Sequence, residues 1–322
     1  FFIVLRDKKN NLADFMSFIF IVLSFQGILM LFFRLNNTWF QALEVVCSQP
    51  VSSLLLILYC LLQITGAGHG MGREVALRFA KLDAVVVCVD INAKGNEETL
   101  QMIKKLNRKA YKYECDVTSR AAVMELAEKV TKEVGDVAIL INNAGIMPTK
   151  PLLRQSEKEI TMTYDLNVLG NLWMLQAFLP VMIKNNHGHI ASLSSMAGLL
   201  GQPNLVPYCG TKFAVRGIID ALNIELHVDP RPTDGIKFTT IFPYMVDTGL
   251  CKKPKYRFER MQMVKATDAA EQIVDAILRE YNEITIPSYY LYLTRYMVKL
   301  MPKKTAPIMH DFVSAIIDPE DS

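Results

Sequence analysis

From about Leu54 onward, short apolar runs alternate with longer amphipathic stretches, and this alternation constrains the fold most. The apolar runs lack polar alternation, which is typical of strands that are covered on both faces. Strands that alternate with helices along the chain imply right-handed crossovers. They also imply a three-layer α/β fold with a doubly wound, mainly parallel sheet of seven strands. The predicted strands include Val85–Asp90, Ala110–Cys115, Val137–Asn142, His189–Ser194 and Ile236–Phe242, and the predicted helices are Gly72–Leu82, Ala93–Leu106, Arg120–Val134, Ile160–Lys184 and Val206–Val228.

A glycine-rich segment, residues 65–72 (TGAGHGMG), follows an apolar run and opens a predicted helix. Its glycines permit a tight turn and a close approach of the backbone to a pyrophosphate, for which the helix terminus supplies amide donors. Asp90 ends the next apolar run, where a carboxylate can bind ribose hydroxyls and repel a 2′-phosphate. The pattern predicts a dinucleotide site that prefers NAD, with NADP left open; the alternative for Asp90 is a helix cap. His69 has no second metal ligand near it in sequence, so we predict no metal site.

Four motifs occur in the order and spacing of the short-chain dehydrogenase/reductase family, which the chain resembles from about Ile64 to Thr248. The motifs are Thr65-Gly66-x-x-x-Gly70-x-Gly72, Asn142-Asn143-Ala144-Gly145, Ser195, and Tyr208-x-x-x-Lys212. The resemblance implies a Rossmann fold, hydride transfer between an alcohol and its carbonyl, and a homodimer. The cofactor contacts that it implies are Thr65, Gly66, Gly70, Met71, Gly72, Asp90, Asp116, Val117, Asn143, Ala144, Gly145, Tyr208, Lys212, Pro243 and Thr248.

The predicted catalytic residues are Tyr208, Lys212, Ser195 and Asn167. A tyrosine exchanges a proton near neutral pH only if its pKa, about 10 when free, is lowered. Lys212 lies four residues later on a predicted helix, so its ammonium group shares a face with Tyr208 and stabilises the phenolate. The resemblance implies that Lys212 also binds the nicotinamide ribose, that Asn167 holds a relay water, and that Ser195 rather than Ser194 binds the substrate oxygen.

Two features near these motifs qualify the resemblance. Tyr244 follows Pro243 where the family usually has glycine, which bears on substrate access, while Thr248 remains a candidate for the carboxamide contact. Cys209 adjoins Tyr208; the other cysteines show no metal spacing and are interpreted as reduced thiols.

The segment Phe15–Phe33 contains no charge and has the length of a bilayer span. We interpret it as a retained anchor; a cleaved signal peptide is the competing interpretation, and flanking charges leave the orientation open. Val51–Ile64 is uncharged and long for a single strand, and either a second membrane-contacting piece or a sequence error upstream of Thr65 would explain this. We predict an anchor and linker at 1–53, the Rossmann domain at 54–287 and an apolar, basic extension at 288–322.

The net charge of +3 argues against nucleic acid as the main partner.

The substrate class follows from a narrower resemblance. The anchor, Asp90-Ile91-Asn92 and residues 208–213 (YCGTKF) resemble the epidermal-type retinol dehydrogenases and lipid-droplet 17β-hydroxysteroid dehydrogenases. This implies retinol, steroid, isoprenoid or fatty alcohols as substrates, on the endoplasmic reticulum or lipid droplets. The alternatives are an NADPH-dependent reductase of retinaldehyde or another lipid carbonyl, and a non-catalytic lipid-droplet scaffold that binds dinucleotide.

Overall fold

The computed structural model describes residues 60–250 and 263–288, together with two short strands at Pro254–Lys255 and Ile316–Ile317. One sheet of seven strands organises this part of the chain, and all neighbouring strands in it are parallel. Its strands are β1 (Leu61–Thr65), β2 (Val85–Asp90), β3 (Ala110–Glu114), β4 (Ile139–Asn142), β5 (Gly188–Leu193), β6 (Ile236–Pro243) and β7 (Glu283–Ile286). The order across the sheet is β7-β6-β5-β4-β1-β2-β3.

Helices connect consecutive strands and cover both faces of the sheet. They are α1 (Gly70–Lys81), α2 (Ala93–Lys105), α3 (Arg120–Glu133), α4 (Glu157–Tyr164), α5 (Gly170–Asn185), α6 (Val206–His227) and α7 (Ala266–Leu278). Successive side chains of a strand point to opposite faces, so β1 contributes to two cores. Leu62 packs with residues of α1 and α7, whereas Leu61 packs with residues of α3, α5 and α6. The predicted three-layer, doubly wound fold is confirmed.

The strand order reverses between β1 and β4. In open parallel sheets, ligands bind in the crevice at the carboxyl ends of the strands where the order reverses. The glycine-rich segment leaves β1 at this edge, and the Asn142–Gly145 motif leaves β4 beside it. The topology therefore brings two of the predicted motifs together.

The structure corrects two details of the prediction. The helix expected at Ile160–Lys184 begins at Glu157 and is interrupted by a π-helical turn, Asp165–Leu169. The seven-stranded sheet is wholly parallel rather than mainly so. Of the run Val51–Ile64, residues 61–64 belong to β1, and residues 51–59 lie outside the described residues.

Among the described residues, one continuous helical stretch, Glu157–Asn185, is long and apolar enough to cross a membrane. It is a core helix, because Met174, Phe178 and Met182 in α5 are buried against the sheet. The predicted membrane segment Phe15–Phe33 lies outside the described residues, as do residues 289–315 of the predicted extension.

Candidate active site

Glycines build the turn between β1 and α1. Gly66 and Gly70 have φ values of +68° and +56°, a conformation that is strained for residues with a side chain. An ideal Cβ placed on Gly72 would overlap the carbonyl oxygen of Gly66. The turn therefore presents backbone rather than side chains at the amino terminus of α1, where backbone amides and the helix dipole favour an anion.

Asp90 fastens this turn to the end of β2. Its Oδ2 accepts a hydrogen bond from the Gly68 amide at 2.8 Å, and its Oδ1 accepts one from the Asn92 amide at 2.8 Å. Each carboxylate oxygen has a second lone pair, so Asp90 can still accept hydrogen bonds from a ligand. Arg73, which no motif indicated, donates to the carbonyl oxygens of Gly68 and Gly95 and so ties the turn to α2.

Thr65 lies beneath the two motifs and joins them. Its Oγ1 accepts hydrogen bonds from the amides of Asn143 and Ala144, both at 3.0 Å. The side chain of Asn143 donates in return to the carbonyl oxygen of Thr65 at 2.7 Å. Because Thr65 is buried, its position supports the turn rather than lining the cavity above it.

A cavity of about 790 Å³, here called the outer groove, lies at this edge of the sheet. Asp116 lies on its wall, where its Oδ1 accepts hydrogen bonds from the amide and hydroxyl of Thr118. Residues of α4, among them Lys158 and Thr161, form the opposite side, which the sequence did not indicate. The predicted contacts that line the outer groove are Gly66, Gly70, Met71, Gly72, Asp90, Asp116, Val117, Asn143, Ala144, Gly145 and Thr248.

A second cavity, here called the inner pocket, adjoins the outer groove. The two cavities share Met71, Asn143, Gly145, Thr248 and Leu250. The other predicted residues that line the inner pocket are Ser195, Tyr208, Lys212 and Pro243. One ligand could therefore occupy the outer groove while a second ligand in the inner pocket contacts the end of the first.

Ser195 and Tyr208 are both buried at the junction. The Ser195 Oγ accepts a hydrogen bond from the Ala197 amide at 3.1 Å and lies 3.4 Å from the carbonyl oxygen of Pro243. Its neighbour Ser194 instead donates its hydroxyl to the carbonyl oxygen of Lys212 at 2.8 Å. Both serines line the inner pocket, and Ser194 is engaged with the backbone of α6. The assignment of the substrate contact to Ser195 stays a prediction.

Lys212 is buried beside Tyr208. Its Nζ donates to the carbonyl oxygen of Leu193 at 2.8 Å and lies 5.6 Å from the centroid of the Tyr208 ring. Burial lowers the pKa of Lys212 to about 8, because the charged form loses its hydration. Burial also raises the pKa of the neighbouring Cys209, so this thiol stays protonated at neutral pH and packs as a small apolar group.

Asn167 lies in the π-helical turn and lines neither cavity. Its Oδ1 accepts from the Ile146 amide at 2.9 Å, and its Nδ2 donates to the Ile146 carbonyl at 2.9 Å and to Thr211 Oγ1 at 3.1 Å. The side chain thus clamps the segment after β4 to α6. An ideal Cβ on Gly145 would lie 3.0 Å from Asn167 Oδ1 and 3.6 Å from Lys212 Nζ, so these three residues are close neighbours.

The remaining walls of the inner pocket are apolar and come from widely separated segments. Methionines contribute much of this surface, and Tyr244 lies next to Pro243 on the wall. Because these residues are scattered along the chain, no local pattern in the sequence could have assigned them to one cavity. The apolar wall residues outside the motifs include Met147, Leu193, Met196, Ala197, Leu200, Leu205, Met245, Val246 and Leu250.

The comparisons with known proteins agree with this arrangement. A family model described as short chain dehydrogenase matches residues 61–256. The chain belongs to the short-chain dehydrogenase family and is an oxidoreductase that acts on an alcohol group or its carbonyl counterpart.

Human relatives give a narrower comparison. The 17-beta-hydroxysteroid dehydrogenase 13 of Homo sapiens is 38% identical over 247 residues, which cover 77% of this chain and 81% of that protein. The epidermal retinol dehydrogenase 2 of Homo sapiens is 38% identical over 267 residues, which cover 79% of this chain and 82% of that protein. The crystal structure of a short-chain dehydrogenase/reductase from Burkholderia phymatum in complex with NAD shares the fold, with a TM-score of 0.68 at 23% identity over 82% of this chain and 97% of that one.

Proposed function

We propose that this protein interconverts a lipophilic alcohol and its carbonyl compound with NAD, and that it works at a membrane or lipid-droplet surface. The observation that carries the proposal is the inner pocket, whose wall is mainly apolar and includes Ser195, Tyr208 and Lys212. A pocket of this kind takes up an apolar molecule and holds one polar end of it. Relatives whose names specify a retinol or a hydroxysteroid support this substrate class.

The outer groove fits a dinucleotide. Its lining includes the glycine turn at the amino terminus of α1, and Gly72 allows this turn to pack closely because an added Cβ would overlap the carbonyl oxygen of Gly66. Asp90 lies on the same wall and would accept hydrogen bonds from the adenosine ribose hydroxyls, while its charge would repel a 2′-phosphate. We therefore favour NAD over NADP. Asp116 and Val117 would flank the adenine, and Thr248 would contact the carboxamide.

Three residues carry the proton chemistry of the inner pocket. NAD held in the outer groove would supply the hydride acceptor, and a residue of this chain must remove the hydroxyl proton of the carbinol. Tyr208, in its phenolate form, takes this proton as general base and becomes a neutral phenol, and the buried ammonium group of Lys212 near the ring stabilises the phenolate before the transfer. Ser195 donates its hydroxyl hydrogen to the substrate oxygen and orients the carbinol. Asn167 holds the loop after β4 in place and supports the relay of the proton to solvent.

The membrane association and the homodimer belong to the same proposal. An alcohol that dissolves in lipid reaches an anchored enzyme by diffusion within the bilayer, so the uncharged segment Phe15–Phe33 suits such a substrate. The 17-beta-hydroxysteroid and retinol dehydrogenases that resemble the chain are compatible with either physiological direction. A reductase that uses NADPH on a lipid carbonyl is the second candidate function, and the position of Asp90 disfavours it.

The test is turnover by the full chain in detergent micelles. All-trans-retinol, estradiol and a long-chain primary alcohol are each supplied with NAD and with NADP, and the wild type is compared with Tyr208→Phe. The matched control is Tyr281→Phe, since Tyr281 is exposed and lines neither cavity. We expect alcohol-dependent NADH formation that falls at least 100-fold in Tyr208→Phe and is unchanged in the control. Activity with NADP alone would refute the cofactor assignment, and cofactor binding without turnover of any alcohol or carbonyl would favour the scaffold.

A further inference from the structure

Tyr244 has a fixed position on the wall of the inner pocket. Its amide donates to the carbonyl oxygen of Ile286 at 2.8 Å, which ties it to the end of β7. The carbonyl oxygen of the next residue, Met245, accepts from the Val264 amide at 2.8 Å. The backbone is thus anchored on both sides of Tyr244, and the residue cannot move away from the pocket without breaking these contacts.

The side chain of Tyr244 is also held in place. It packs against the buried residues Met196 and Phe242 together with Leu199, and its phenolic oxygen is shielded from solvent. A tyrosine has only two side-chain torsions, so its ring is a rigid wall once both faces are packed. Ser195 lies close by, because its Oγ is 3.4 Å from the carbonyl oxygen of Pro243, the residue before Tyr244.

The other walls of the inner pocket are more compliant. Met71, Met147 and Met245 line it, and unbranched methionine side chains repack readily around differently shaped ligands. A rigid aromatic ring next to Ser195 therefore limits the shape of the substrate near the reacting carbon, while the methionines accommodate the rest of the molecule. The pocket therefore discriminates between substrates by the groups attached to the carbinol carbon and not by the length of the alcohol's hydrocarbon chain.

We propose that Tyr244 is the specificity-determining residue of the inner pocket. It admits a carbinol at the end of a slender chain, as in a primary lipid alcohol, and disfavours a carbinol set in a fused ring system, as in a 17β-hydroxysteroid. This inference rests on the proposed function, because it assumes that the reacting alcohol lies beside Ser195 and Tyr208. It assigns the selection to the aromatic ring and not to the phenolic hydroxyl.

The experiment compares Tyr244→Ala and Tyr244→Phe with the wild type, and Tyr281→Ala is the matched control at an exposed tyrosine. The quantity measured is the ratio of kcat/KM for hexadecan-1-ol to kcat/KM for estradiol. Since one methylene in an apolar pocket changes discrimination about 10- to 200-fold, we expect this ratio to fall at least tenfold in Tyr244→Ala. The ratio should be retained in Tyr244→Phe and in the control.

A second measurement separates the two proposals. The Kd of each alcohol for the enzyme with bound cofactor is measured by the change in cofactor fluorescence. The ratio of the affinity (1/Kd) for hexadecan-1-ol to the affinity for estradiol should shift in the same direction as the kinetic ratio. If the wild type binds the alcohols but turns over none, the proposed function fails, and the Kd ratio still tests Tyr244. Unchanged ratios in a folded Tyr244→Ala variant, or in Tyr244→Leu should the alanine variant not fold, would overturn the inference.

Discussion

Replacing Gly72 by alanine has two opposing effects on the free energy of unfolding. Alanine is favoured over glycine within a helix by about 1 kcal/mol, which would stabilise α1. The new Cβ, however, would overlap the carbonyl oxygen of Gly66 and lie 2.6 Å from Asn143 Nδ2. Overpacking of this kind costs about 1 to 3 kcal/mol, and a backbone oxygen cannot rotate away as a flexible side chain can. We therefore expect the upper end of that range and a net loss of about 2 kcal/mol.

The assay is thermal unfolding, with Gly217→Ala as the matched control. Gly217 lies within α6, and an ideal Cβ there would have no neighbour within 4 Å. Gly72→Ala should lower Tm by about 4 to 8 °C, whereas Gly217→Ala should raise it by about 2 to 4 °C. The displaced turn should also raise the Kd of NADH at least about tenfold, which corresponds to roughly 1.4 kcal/mol. A Gly72→Ala variant that melts at or above the wild-type temperature and binds NADH normally would refute this reasoning.

Two further predictions concern stability. Burial lowers the pKa of His189 to about 4, so between pH 6.5 and 4 the unfolded chain binds a proton that the folded chain does not. The free energy of unfolding should therefore fall by about 3 kcal/mol as the pH drops through this window, as measured by urea titration. His189→Asn should reduce this slope and the exposed His187→Asn should not; equal slopes in both variants would contradict the assignment. The Oγ of Ser156 caps the amino terminus of α4 by accepting a hydrogen bond from the Glu159 amide at 3.3 Å. Ser156→Ala should lower the free energy of unfolding by about 1 kcal/mol, as measured by the same urea titration. An unchanged midpoint would show that Glu159 alone holds this terminus.

The layers of the fold could be predicted from the sequence because the alternation of apolar runs with amphipathic stretches is visible in neighbouring residues of the chain. A strand buried on both faces is expected to be uniformly apolar, and residues 85–89 of β2 (VVVCV) are. The contact between Asp90 and the Gly68 amide also follows from sequence logic, since the ends of neighbouring parallel strands meet at one edge. Motifs that end adjacent strands are therefore brought together by topology alone.

The walls of the inner pocket could not be predicted in this way. Met147, Met196 and Met245 follow three different strands, and no spacing relates them. The clamp formed by Asn167 depends on a π-helical turn, which replaces the regular helix expected at this position. Such features depend on which segments become neighbours in three dimensions, and an apolar residue looks the same in sequence whether it faces a core or a cavity.

The pair Ser194 and Ser195 shows how the backbone completes the candidate site. Ser194 donates to the carbonyl oxygen of Lys212, and the ammonium group of Lys212 donates to the carbonyl oxygen of Leu193. These two hydrogen bonds join the end of β5 to α6 in both directions, at a point where an ideal Cβ on Gly198 would lie 2.5 Å from Ser194 Oγ. A lysine whose burial lowers its pKa to about 8 is less stable as a cation than one in water, so the bond to Leu193 offsets part of the lost hydration. These contacts therefore hold the end of β5, which Ser195 follows by two residues, close to α6, which carries Tyr208.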